Sequence, residues 1–146
     1  MSRLDPEHAR LAGLAQSGFD AALQGLTLVS AEDGQALLTL PVGPAVVNVV
    51  GTLHGGAIAT LVDVAGTLAI ISADRDQRPG VTTDLNVSYF AAAAPPATVR
   101  AEARVLRAGR TLAFVEVDLR EGPGEGGKLL AQGRMTKFMG QPGPTR

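Results

Sequence analysis

Between His54 and Asp74 the only charged side chain is Asp63, set among Ala57, Ile58, Leu61, Val62, Val64, Ala65, Leu68, Ala69, Ile70 and Ile71. Burying an unpaired carboxylate costs several kcal/mol, on the order of a few pKa units, so the position asks for a structural partner or a chemical use. The first is a hydroxyl or backbone N–H that satisfies the carboxylate, the second a general base or nucleophile. Just upstream, Asn48-Val49-Val50-Gly51-Thr52-Leu53-His54-Gly55-Gly56 runs into the same apolar segment. If a helix starts there, its first N–H groups lack helical acceptors, and glycine at 55 and 56 lets an outside carbonyl come close. Such a terminus favours developing negative charge and could serve as an oxyanion hole. The plainer account is two glycines easing a tight turn, with His54 hydrogen-bonded in the loop.

Spacing adds a constraint. Gly55 and Asp63 are eight residues apart, about 12 Å along a helix, whereas an attacking group and its target carbonyl lie about 3 Å apart. One subunit can hardly place both on one substrate. Two such helices packed antiparallel across a twofold axis would bring Gly55 of one beside Asp63 of the other, making two composite sites.

The elements that must hold these residues follow from patterning. Residues 55 to 73 contain no proline and match a helix of about five turns, apolar nearly all round and therefore buried on most sides. Asp5-Pro6-Glu7 reads as a helix start, followed by Leu11, Leu14 and Ala15 at helical spacing, so residues 1–25 form a short helical segment ending near Gly18 or Gly25. From Leu26 to Val42 two apolar runs flank Glu32-Asp33-Gly34, a hairpin signal. Val99, Ala101, Ala103 and Val105 alternate with Arg100, Glu102 and Arg104, a half-solvated strand. Val81 to Phe90, Thr111 to Arg120 and Lys128 to Phe138 read similarly, separated by AAAAPP, Ala108-Gly109-Arg110 and GPGEGG. The last three strands should form a meander. The whole is α+β, an antiparallel sheet wrapped around one long central helix, in one domain spanning 1–146 with a flexible tail at 140–146.

Composition narrows the function. Thirteen basic and fourteen acidic side chains give a net charge of −1, no footprint for nucleic acid. Absence of cysteine excludes disulfides and thiolate catalysis, and with His8 and His54 as the only histidines no metal site can be nominated. There is no GxSxG, no dinucleotide GxGxxG after a strand and no P-loop. The acidic start does not resemble a signal peptide, and the apolar run inside 57 to 71, interrupted by Thr60, Asp63 and Thr67, is too short to span a membrane. A cytoplasmic location follows.

Read as a unit, NVVGTLHGGAIATLVD resembles the hotdog-fold thioesterases of the phenylacetate-degradation PaaI group and the related acyl-CoA thioesterase 13 group. The resemblance continues through PGVTTDLNVSYF, RAGRTLAFVEVDL and KLLAQGRMTKF, covering roughly residues 45 to 139. It implies hydrolysis of an acyl-CoA, of phenylacetyl or hydroxyphenylacetyl type, without a cofactor, by subunits paired edge to edge and commonly assembled into homotetramers. It makes Asp63 the base or nucleophile, with Thr82 helping to hold water and Thr83 a possible substitute. Gly55 N–H would polarise the thioester carbonyl, supported by Asn48 and His54 of the partner subunit's loop. Contacts to coenzyme A are implied near Asp84, Tyr89, Phe90, Arg107, Arg110 and Thr111. Arg134 and Lys137 are further cations on the late strands that could meet its phosphates. The same fold could also serve an acyl-CoA hydratase or dehydratase, or a non-catalytic acyl-CoA binding module.

Overall fold

The computed structural model describes residues 11–13 and 17–140. The expected helix start at Asp5-Pro6-Glu7 and the tail at 141–146 lie outside the described residues. Residues 11–13 are helical and bury Leu11 in the core, whereas Gly18–Ala22, where the sequence suggested the end of that helix, is a 3-10 turn, η1.

β1 (Thr27–Glu32) and β2 (Gln35–Pro41) are joined by Asp33 and Gly34, whose φ angles of 50° and 81° suit a tight hairpin turn. The long helix α1 spans Gly55–Ala73, as expected. β3 (Val81–Tyr89), β4 (Thr98–Ala108), β5 (Leu112–Glu121) and β6 (Leu129–Phe138) complete one antiparallel sheet of order β1-β2-β4-β5-β6-β3. The meander β4–β5–β6 is as read from the sequence. The place of β3, which precedes it in the chain but pairs at the far edge with β6, was not legible. Arg78 explains how it gets there. Its guanidinium pairs with Asp74 at 2.9 Å and donates to the carbonyls of Met139 at 3.4 Å and Gly140 at 2.9 Å, tying the turn before β3 to the end of β6. The same hydrogen bonds hold the Asp74 carboxyl below its ordinary range.

The sheet curls around α1, which buries Leu61, Val62, Leu68 and Ile70 against it; each such side chain contributes roughly 1.5–3 kcal/mol. Two glycines set the closeness of that packing. A Cβ on Gly66 of the helix would lie 2.6 Å from Met135 Cε, and one on Gly133 of β6 would lie 2.5 Å from Val62 Cγ1. The helix therefore sits down on β5 and β6 at two interlocking points. By length and composition α1 could cross a membrane, despite Thr60, Asp63, Thr67 and Ser72; here the sheet covers its apolar surface instead. On the outer face of the sheet Arg104 pairs with Glu116 and Gln132 with Asp118, as the alternation of β4 requires.

Candidate active site

Gly56, Thr60, Asp63 and Thr67 fall on one stripe of α1, the face left partly open by the sheet. The two threonines are satisfied within the helix, Thr60 donating to the Gly56 carbonyl at 2.8 Å and Thr67 to the Asp63 carbonyl at 2.7 Å. The Asp63 carboxylate is held from outside the helix: Thr82 Oγ1 donates to Oδ1 at 2.9 Å. Among the described residues nothing donates to Oδ2, which leaves that oxygen for an incoming molecule.

A β-bulge decides which threonine does this. The β3–β6 register slips between Thr82 and Asp84, so Thr83 is the extra residue; its hydroxyl turns to the Thr136 carbonyl at 3.2 Å. Thr82 and Tyr89 are seven residues apart, and a regular strand would place them on opposite faces. With one residue bulged out, both face the helix. Thr82 meets Asp63, and Tyr89 OH donates to the Gly55 carbonyl at 2.9 Å. One strand thus grips α1 at both functional ends.

At the helix start His54 is the N-cap, its Nδ1 accepting from Gly56 N–H at 2.7 Å. That bond assigns the ring proton to Nε2. A Cβ on Gly56 would sit 2.9 Å from Nδ1, so this glycine makes room for the cap. Gly56→Ala should therefore cost about 1–2 kcal/mol, the worth of a lost N-cap, seen as a lower Tm in thermal unfolding; an unchanged Tm would show that the imidazole does not hold the helix end. Gly55 differs. Its N–H has no acceptor among the described residues, and a Cβ there would only touch the Tyr89 ring at 3.5 Å. Asn48 shapes the loop behind it, its Oδ1 accepting from Val50 and Thr52 N–H and its Nδ2 donating to Thr52 Oγ1 at 2.9 Å.

The residues implied for coenzyme A divide into two groups. Tyr89 and the half-exposed Phe90 lie at the Gly55 end of β3. Asp84, Arg107, Arg110 and Thr111 are exposed at the opposite end, where Leu112 and Val81 flank Phe138 and the Thr111 carbonyl accepts from Met139 N–H. Lys137 departs from the expectation of a surface cation. It faces the helix side of β6 with Met135 and Gly133 and is only 5% exposed, the one buried charged side chain among the described residues. Burial drives its pKa below the ordinary lysine value, while the charges of Asp63 and Asp20 hold it up. Asp20, on η1, is pushed up by burial and then by Asp63, with Lys137 opposing. Sequence patterning could have flagged Lys137, since it shares the inward phase of Gly133, Met135 and Met139; Asp20 carried no such signal. Among the described residues no cluster of His, Asp and Glu could hold a metal ion.

An antiparallel sheet around one buried helix, with a carboxylate in mid-helix and a bare glycine N–H at its start, defines a hotdog-fold thioesterase. The family model for the thioesterase superfamily matches residues 50–128. Human acyl-coenzyme A thioesterase 13 is 43% identical over 122 residues, 84% of this chain and 85% of that protein. The crystal structure of zebra fish thioesterase superfamily member 2 superposes with a TM-score of 0.85 at 40% identity, covering 96% of this chain and all of that one. The N33D mutant of the phenylacetic acid degradation protein PaaI from Thermus thermophilus gives a TM-score of 0.72 at 29% identity, covering 82% and 96%. This chain belongs to the thioesterase superfamily.

Proposed function

We propose that the protein is an acyl-CoA thioesterase whose sites are each built from two subunits, with Asp63 as the general base. The observation that carries this reading is the single strand that presents Thr82 to Asp63 at one end and Tyr89 to Gly55 at the other. Water bound at Oδ2 gives its proton to Asp63 and attacks the thioester carbon. The carbonyl oxygen takes up charge against Gly55 N–H of the other subunit, and the C–S bond breaks to release the acid and CoA thiol, which recovers the proton.

β3 is an edge strand, with Val81 68% and Leu85 38% exposed, a surface suited to another sheet edge. Antiparallel pairing of β3 with its own copy about a twofold near Leu85 would set the Thr82 end beside the partner subunit's Tyr89 end. Asp63 would then meet the Gly55 of the partner subunit, and the two groups of coenzyme A residues would join into one cradle. His54 and Asn48 hold the loop behind that glycine. We assign a homodimer as the active unit, a homotetramer as its further assembly, and the cytoplasm as its location, a reading supported by an apolar helix used as core.

A cavity of about 260 Å3 opens beside Thr60, one helical turn from Asp63, lined by Phe19, Leu23, Val46 and Ala57. It suits an apolar acyl group, and we assign it phenylacetyl or hydroxyphenylacetyl. The test is a thioester panel read by free thiol. Phenylacetyl-CoA should exceed acetyl-CoA in kcat/KM by about tenfold or more, and Ala57→Leu should erase that margin. Hydration of enoyl-CoA with the thioester intact would instead identify a hydratase, and tight binding of CoA esters without turnover a binding module.

A further inference from the structure

We propose that Tyr89 is a positioning residue for the reaction: its hydroxyl, with the ring of His54, clamps the peptide between Gly55 and Gly56 and so aims the Gly55 N–H at the thioester carbonyl. The proposal rests on Gly55 N–H being the oxyanion donor.

Two glycines in succession are a poor foundation for such a donor. Without a Cβ, Gly55 and Gly56 reach far more of φ/ψ space than other residues, and the first turn of a helix has few bonds to restrain it. In α1 both peptide planes that flank Gly55 are nonetheless held. The plane that carries its N–H is held through the His54 carbonyl, which accepts from Ile58 N–H at 3.0 Å. The next plane is gripped at both ends: the Gly55 carbonyl accepts from Tyr89 OH at 2.9 Å, and Gly56 N–H donates to His54 Nδ1 at 2.7 Å. Together the two planes fix φ and ψ of Gly55, and with them the direction of an N–H that has no acceptor among the described residues.

Tyr89 is suited to this because it is itself anchored. Its backbone pairs with Ala131 at the end of β3, and the next two N–H groups, of Phe90 and Ala91, both donate to the carbonyl of buried Leu130, at 2.8 and 3.1 Å. The carbonyl of Ala93, also buried, then accepts from Leu53 N–H at 2.8 Å, which ties this segment to the loop entering α1. Hydroxyl and helix start therefore stand in one frame. The single phenolic proton is spent on the Gly55 carbonyl, so the hydroxyl cannot also donate to a phosphate of coenzyme A, the contact that the resemblance implies for this residue.

Tyr89→Phe removes the hydroxyl and leaves the ring. Losing the donor altogether costs about 10²–10³-fold. Losing its clamp, with the N–H still present, should lower the single-turnover rate of phenylacetyl-CoA hydrolysis at saturation by about tenfold, with the half-saturating concentration moved less than about twofold. A contact to coenzyme A predicts the reverse, weaker binding with the rate kept, and that result overturns the proposal. A second readout follows the donor directly. Phenylacetyl-CoA isotope-labelled at the thioester carbonyl, bound to Asp63→Asn so that it persists, should show a carbonyl stretch lowered from its value in solution by infrared difference spectroscopy; adding Tyr89→Phe should return it part of the way. An unmoved band overturns the proposal even where the rate falls, because the loss then has another source. Gly55→Pro in the same background separates this from the parent reading: a band that stays lowered there removes Gly55 as the donor, whereas a band that returns with Gly55→Pro and not with Tyr89→Phe removes only the role of the tyrosine.

Discussion

Asp63→Asn should fold, assemble as the wild type does, and lose at least about 10²-fold in kcat, reaching about 10⁴-fold if proton transfer limits turnover. Asparagine keeps the volume and an oxygen that can accept from Thr82 Oγ1, now at 2.9 Å from Oδ1. The helix hydrogen bonds of Thr60 and Thr67 do not involve the Asp63 side chain. What disappears is the proton acceptor. Thermal stability should therefore stay level or rise, since a partly buried charge is removed, while steady-state and single-turnover rates fall together. An unchanged kcat would remove Asp63 from the chemistry and leave it a structural carboxylate capped by threonine.

The second large effect concerns the other half of the site. Gly55→Pro deletes the N–H proposed to hold the oxyanion, and the local backbone tolerates it. Gly55 is the first residue of α1, where proline is at home, and His54 sits at φ −63°, ψ 135°, a conformation that the residue before proline prefers. The expected loss is about 10²–10³-fold in kcat, with the helix intact by circular dichroism. Mixing this variant with Asp63→Asn, after exchange of subunits, makes the prediction sharper. Random pairing gives heterodimers in which one composite site has both groups and the other neither, so about a quarter of wild-type activity should return from two inactive parents. No recovery on exchange would mean that the two groups do not meet across subunits.

Much of this arrangement was visible in the residues. The length and burial of α1 followed from a proline-free apolar run, the hairpin from Asp33-Gly34, and the meander from alternation in β4. Asp63 stood out because one charge in such a helix is costly. Three things were hidden, each for a physical reason. Strand order depends on long-range ties such as Arg78 to the end of β6, which no local pattern records. The coupling of Asp20 to Asp63 joins residues far apart in the chain. The choice between Thr82 and Thr83 turns on a bulge, and adjacent threonines look alike to a period-two reading. Lys137 was visible but misjudged, because a lysine in a strand is ordinarily solvated, and only the packed structure shows that its phase is inward.

The extra residue at Thr83 also ties the length of this exposed edge to its register, in a way its solvent exposure hides. Substitution at Thr83 changes little, since its side chain points away from the helix and only meets the Thr136 carbonyl. Deleting it takes the bulge away with the residue: the strand becomes regular, Thr82 and Tyr89 stand six apart, and both still face the helix. A residue inserted between them and taken into the pleat turns one of the two outward. Surface strands usually drift in length between relatives, but here a spacing of seven from Thr82 to Tyr89 requires the bulge and a spacing of six its absence, however freely the identities change.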